Sequence, residues 1–100
     1  METTKIQLDG KARLAGTLTI ELMPKGQPAK FVLVDVIPGT DSKELARDLY
    51  KQMTLTLGSG SFKFNQSGDK VVIEKANQSA PSFSVRVVNL SILGMSVLID

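Results

Sequence analysis

Apolar and polar residues alternate along most of the chain, the pattern of strands that bury one face. Ile6 and Leu8 open a short strand that stops at Asp9-Gly10, a pair suited to the positive φ angles of a tight hairpin turn. Leu18, Ile20 and Leu22 point one way and Thr17, Thr19 and Glu21 the other. Pro24-Lys25-Gly26-Gln27-Pro28 ends that strand, since proline removes a ladder donor and glycine permits reversal. The next strand, Phe31 to Ile37, is apolar on both faces except at Asp35.

After Pro38-Gly39-Thr40 the period changes from two to about 3.6. Asp41 followed by Glu44 forms a capping-box pattern, and Leu45, Ala46, Leu49, Met53 and Leu57 make one stripe. Glu44 with Arg47 and Asp48 with Lys51 pair opposite charges on the wet side. This predicts one amphipathic helix at about 41–53, weakened towards its end by Thr54 and Thr56 and stopped by Gly58-Ser59-Gly60. Strand signals then resume: Phe62 and Phe64, a turn at Ser67-Gly68-Asp69, Val71 and Ile73, a polar loop from Asn77 to Ser82, Phe83 with Val85 and Val87, and Met95 to Ile99. About seven strands and one helix, joined by loops mostly short enough for antiparallel neighbours, predict an α+β fold, sandwich or barrel-like, in a single domain over 1–100.

Composition narrows the chemistry. Histidine, cysteine and tryptophan are absent, which excludes a Ser-His-Asp triad, a cysteine nucleophile, disulfides and His/Cys zinc sites. Twelve basic and ten acidic residues give a net charge of +2, and the basic residues are scattered rather than gathered on one arm. Phe62-Lys63-Phe64 interleaves rings with a cation, but on a strand the rings share a face opposite the ammonium, the arrangement of core rings and a wet lysine. No nucleic-acid partner is therefore expected. Gly58-Ser59-Gly60-Ser61 follows a helix instead of opening one and lacks the Lys-Ser/Thr of a phosphate loop, so it reads as a link.

Met1 to Ile6 lacks the apolar segment of a secretion signal, and the longest apolar stretch is too short to span a bilayer. No membrane partner is expected, and synthesis in the cytoplasm is. Asn65-Gln66-Ser67, Asn77-Gln78-Ser79 and Asn89-Leu90-Ser91 fit glycosylation sequons but read as turn-forming polar clusters. Asp35 is the one acid inside an apolar run, and with no second carboxylate near it in sequence it reads as a solvated or paired strand carboxylate rather than a catalytic acid. No catalytic residue, cofactor, metal or small-molecule substrate is expected.

The apolar excess points elsewhere. Val32, Val34 and Val36 face one layer, and Phe31, Leu33 and Ile37 the other; in the last strand Leu98 opposes Val97 and Ile99. One helix can cover one of these faces, which leaves apolar surface for a partner. Phe31, Leu33, Asp35, Ile37, Val97, Leu98 and Ile99 are the candidate interface residues.

The order of elements resembles a module of tailed-bacteriophage virion proteins, notably tail sheath and tail tube subunits. The matching parts are Gly16-Thr17-Leu18-Thr19-Ile20, Phe31-Val32-Leu33-Val34, Thr40-Asp41-Ser42-Lys43-Glu44-Leu45-Ala46, Gly68-Asp69-Lys70-Val71-Val72-Ile73 and Phe83-Ser84-Val85-Arg86-Val87, within residues 16–88. The loop Ser79-Ala80-Pro81-Ser82 departs from the module's Gly-Asn pair, and sheath subunits are far longer. The resemblance implies a small non-enzymatic virion structural protein of the tail, baseplate or surface decoration, a homo-oligomer that also contacts other virion proteins. The other reading is a small cytoplasmic inhibitor or adaptor that binds a protein by sheet-edge addition.

Overall fold

A computed structural model describes residues 3–58 and 60–100. Met1, Glu2 and Ser59, which belong to the N-terminal and glycine-loop readings above, lie outside the described residues. The elements are β1 (Thr3–Gly10), β2 (Gly16–Pro24), β3 (Lys30–Val36), α1 (Ser42–Leu57), β4 (Phe62–Ser67), β5 (Lys70–Lys75), β6 (Phe83–Leu90) and β7 (Met95–Ile99). The α+β fold with seven antiparallel strands and one helix is as expected. The strands form two sheets, β4-β5-β1-β7 and β3-β2-β6.

Two hairpins join sequence neighbours. β4 and β5 meet with Ser67 opposite Lys70, so Gly68 and Asp69 make a two-residue turn, and Gly68 at φ 60° supplies the positive dihedral that a glycine-first hairpin turn requires. β2 and β3 reverse between Leu22 and Lys30. Asp9-Gly10, by contrast, is no hairpin. β1 pairs with β5 through Thr3 to Gln7 and with β7 through Ile6 to Gly10, while β2 belongs to the other sheet. The positive φ at Gly10 is real, but it serves a crossing between sheets.

Alternation sets the interior. Ile6, Leu8, Val71, Ile73, Phe62 and Met95 of the larger sheet face Leu18, Ile20, Leu22, Val32, Val34, Val36 and Phe83 of the smaller. A bulge adjusts β6: Ile20 pairs with Val87 and Thr19 with Asn89, so Val88 is the extra residue and Leu90 returns to the core side. The stripe Leu45, Ala46, Leu49 and Met53 of α1 completes the core, and α1 packs beside β3 and β4. The helix thus bridges the opening between one edge of each sheet. At one end the rings of Phe62 and Phe83 meet edge to face, with centroids 5.1 Å apart.

The capping box forms: Asp41 Oδ1 accepts from the Glu44 amide at 2.8 Å, and the Asp41 amide donates to Glu44 Oε1 at 3.4 Å. The helix runs to Leu57, one turn past the expected end. Leu57 packs against the core and draws the last turn on, while the Thr54 hydroxyl donates back to the Tyr50 carbonyl at 2.9 Å. Gly58 then stops it at φ 70°, its N–H donating to the Thr54 carbonyl. Of the three sequons only Asn77 builds a turn, accepting from the Ser79 amide and hydroxyl; Asn65 and Asn89 lie within strands.

The other end is a corner where three connections meet. Lys11 and Arg13 donate amides to the carbonyls of Gly94 and Leu93, Ala12 exchanges backbone bonds with Thr40 and Gly39, and the Ser91 amide reaches the Thr17 carbonyl. Backbones approach so closely that a Cβ at Gly10 would overlap the Gly94 carbonyl, one at Gly94 the Lys11 carbonyl, and one at Gly16 the Ser91 carbonyl. Gly26 also has positive φ but faces open space. Gly26→Ala should therefore lose only the backbone preference, about 1–2 kcal/mol. Gly10→Ala should lose more, because the corner must move; urea denaturation of the two variants measures the difference. Leu49→Ala, at a fully buried position, should cost about 2–5 kcal/mol in the same assay.

Candidate functional site

The two sheets differ in what they turn to water. Lys5, Gln7, Asp9, Lys63, Asn65, Lys70, Glu74 and Ser96 dominate the outer face of β4-β5-β1-β7. On β3-β2-β6 the outward residues are Phe31, Leu33 and Asp35 of β3, Thr17, Thr19, Glu21 and Met23 of β2, and Ser84, Arg86, Val88 and Asn89 of β6. Phe31 is 47% exposed, Leu33 59%, Met23 44% and Val88 46%. The face is a small apolar field with polar positions set into it.

Register arranges it in rows. Phe31, Glu21 and Arg86 lie side by side across the three strands, and Leu33, Thr19 and Asn89 form the next row, with bulged Val88 between Arg86 and Asn89. Asp35 and Thr17 follow, and the Thr17 hydroxyl donates to Asp35 Oδ1 at 3.2 Å. A cleft of about 350 Å³ separates Leu33 and Asp35 from Asp48, Lys51 and Gln52 of α1. A shallower hollow of about 510 Å³ beside the β2–β3 turn, lined by Met23, Pro24, Pro28, Phe83 and Ser84, continues the face at its other end.

Glu21 was not legible as a special residue. It is 5% exposed although it points away from the core, walled in by Phe31 and Arg86 on the flanking strands. Arg86 Nε donates to Glu21 Oε1 at 2.6 Å and Nη2 to Oε2 at 3.4 Å, a bidentate fork. The hydrogen bond and the charge of Glu21 push Arg86 above its ordinary pKa. The partners lie 65 positions apart in sequence, and alternation does not tell which strands are adjacent.

The sequence-derived interface residues are thus divided. Phe31, Leu33 and Asp35 share one face, and Ile37 lies exposed just beyond β3. Leu98 is exposed on the outer side of β7, while Val97 and Ile99 pack, partly buried, against the core. The structure does not bring Leu98 to the β3 group: it stands opposite Gln7 in the other sheet. Among the described residues no three His, Cys, Asp or Glu side chains converge as a metal site. No protein-family model matches the chain, and no curated protein is significantly similar to it in sequence.

The ion pair makes a measurable prediction. Arg86→Met strands a buried carboxylate, whereas Glu21→Leu with Arg86→Met replaces both partners by apolar groups. In thermal denaturation the single Arg86 variant should melt below the double variant.

Proposed function

We infer that this chain is an assembly subunit, joining copies of itself and neighbouring structural proteins, and that it acts without a catalytic step. The observation behind this reading is the outer face of β3-β2-β6. Phe31, Leu33, Met23 and Val88 stay in water although the chain already has a closed interior of two sheet faces and a helical stripe. Among the described residues no buried side-chain nitrogen or oxygen lacks a partner, so the interior asks for nothing more. Phe31 and Leu33 are neighbours on β3, with Val88 across Glu21 and Thr19 on β6, and exposed apolar side chains grouped on one face are a feature of surfaces that meet other proteins.

The setting we propose is a phage or phage-like particle, with the protein made in the host cytoplasm and built into the virion. Support for it is the likeness of residues 16–88 to the tail sheath and tail tube module. Partner binding by edge addition would fall to β6 and β7, because α1 lies beside β3 and β4, the other edge strand of each sheet.

Size-exclusion chromatography with light scattering, followed by negative-stain microscopy, tests the reading. The expected result is a mass above 10.8 kDa that rises with concentration, with multimers visible on the grid. A strict monomer at concentrations up to about 1 mM, where even weak contacts of this kind form, would overturn it.

A further inference from the structure

We propose that copies of this chain join end to end, the corner of one seated in the hollow beside the β2–β3 turn of the next. This rests on the assembly reading above and names one of its contacts. β2 spans nine residues, about 30 Å of strand, so the strands run along the 42 Å axis of a molecule 24 × 22 Å across. Gly16 starts β2 at the corner and Pro24 ends it at the hollow, which places the two features at opposite ends. At the corner Leu14 is 59% exposed, Ile37 72% and Leu93 57%. They stand on neighbouring connections: the Arg13 amide donates to the Leu93 carbonyl, and the Gly39 amide to the Ala12 carbonyl. The turn after Ile37 is held firmly. Thr40 donates its amide and its hydroxyl to the Ile37 carbonyl, with Pro38 and Gly39, at φ 91°, between them.

The other end offers the counterpart. Buried Pro24 and Phe83 line the hollow of about 510 Å³ together with exposed Met23 and Pro28. A projecting apolar turn and an apolar hollow on one chain supply the two unlike patches that head-to-tail association needs. Charge agrees with this direction. Residues 35–41 carry Asp35 and Asp41 and no base, whereas residues 24–30 carry Lys25 and Lys30 and no acid, and all four are exposed. Lys11 and Arg13 lie on the other side of the corner, tied by their amides to Gly94 and Leu93. Joined end to end, the acids beside Ile37 approach the lysines beside the hollow. A corner-to-corner pair sets those acids against their own copies and leaves the hollow empty, and a hollow-to-hollow pair does the same with the lysines.

Size fixes the strength. An end 24 × 22 Å across offers roughly 500 Å² per copy and about 1,000 Å² for the pair, the lower limit of specific interfaces. One contact alone is therefore reversible. Each copy makes two of them, and a contact between unlike patches does not close on itself as a two-fold pair does, so assemblies lengthen with concentration.

Disulfide trapping tests the geometry, because the chain has no cysteine of its own. Ala15→Cys, beside the corner leucine, and Ser84→Cys, at the hollow, alter exposed positions and should leave the melting temperature within a few degrees of wild type. Gly16 and Met23, which lie next to these sites, are seven residues of β2 apart, about 23 Å, so no disulfide can close within one copy. Under mild oxidation the double variant should give a ladder of dimers, trimers and higher multimers on a non-reducing gel. Mixed in equal amounts, the single variants should form a dimer of unlike copies, identified by mass, well in excess of any Ala15→Cys dimer. Adding Ile37→Lys to the double variant should remove the ladder, since a lysine then meets the apolar hollow and its lysines. Wild-type multimers without the unlike dimer, an Ala15→Cys dimer that forms as readily, or a ladder that survives Ile37→Lys overturns the end-to-end contact and leaves the assembly reading standing. A wild-type chain that stays monomeric overturns both.

Discussion

Two sheets can enclose one interior only if the chain crosses between them, and in this protein the crossings at one end depend on backbones that touch. The links after β1, after β3 and before β7 converge at residues 10–17, 37–41 and 91–95, tied by amide-to-carbonyl bonds. Gly10, Gly16 and Gly94 are the points where a side chain has no room. With this corner fixed, β1 and β2 become the middle strands of different sheets. The alternating residues of both then face each other, and α1 bridges the remaining opening. Buried Ala12, Thr40, Ile92 and Met95 show that the corner is an extension of the core.

What the corner leaves over is an uncovered sheet face. The smaller sheet has one face on the core and none of the described residues packed over the other, and that other face holds Phe31, Leu33, Met23 and Val88. A sheet face turned permanently to water would ordinarily look like that of β4-β5-β1-β7, with lysines, acids and amides in its rows. The Glu21–Arg86 fork adds a second kind of information. Its carboxylate is buried while the Arg86 side chain is 69% exposed, so the fork holds an open cation over a sheltered acid.

Local structure was legible because it follows from local chemistry. The capping box at Asp41 and Glu44, the stripe from Leu45 to Met53, the Gly68-Asp69 turn and the inward valines of β3 all depend on residues a few positions apart. Misreadings arose where distant residues decide. Asp9-Gly10 has the composition of a hairpin turn but is held by Gly94, and the helix runs past Thr54 because Leu57 finds the core. Strand order, and with it the meeting of Glu21 and Arg86, depends on pairings that alternation does not encode. The outward face shows the same division: Phe31 and Leu33 could be placed from β3 alone, whereas the outward turn of Asn89 needed the bulge opposite Thr19 and Ile20.

The central claim is that the outward face of the three-stranded sheet is a contact surface. Methyl and aromatic NMR spectra over a dilution series read it residue by residue. The account predicts that signals of Leu33, Val88, Met23 and the Phe31 ring shift together with concentration, while exposed Leu55 on α1 and Leu98 on β7 stay fixed. Shifts confined to Leu55 or Leu98, or none at any concentration, would contradict it.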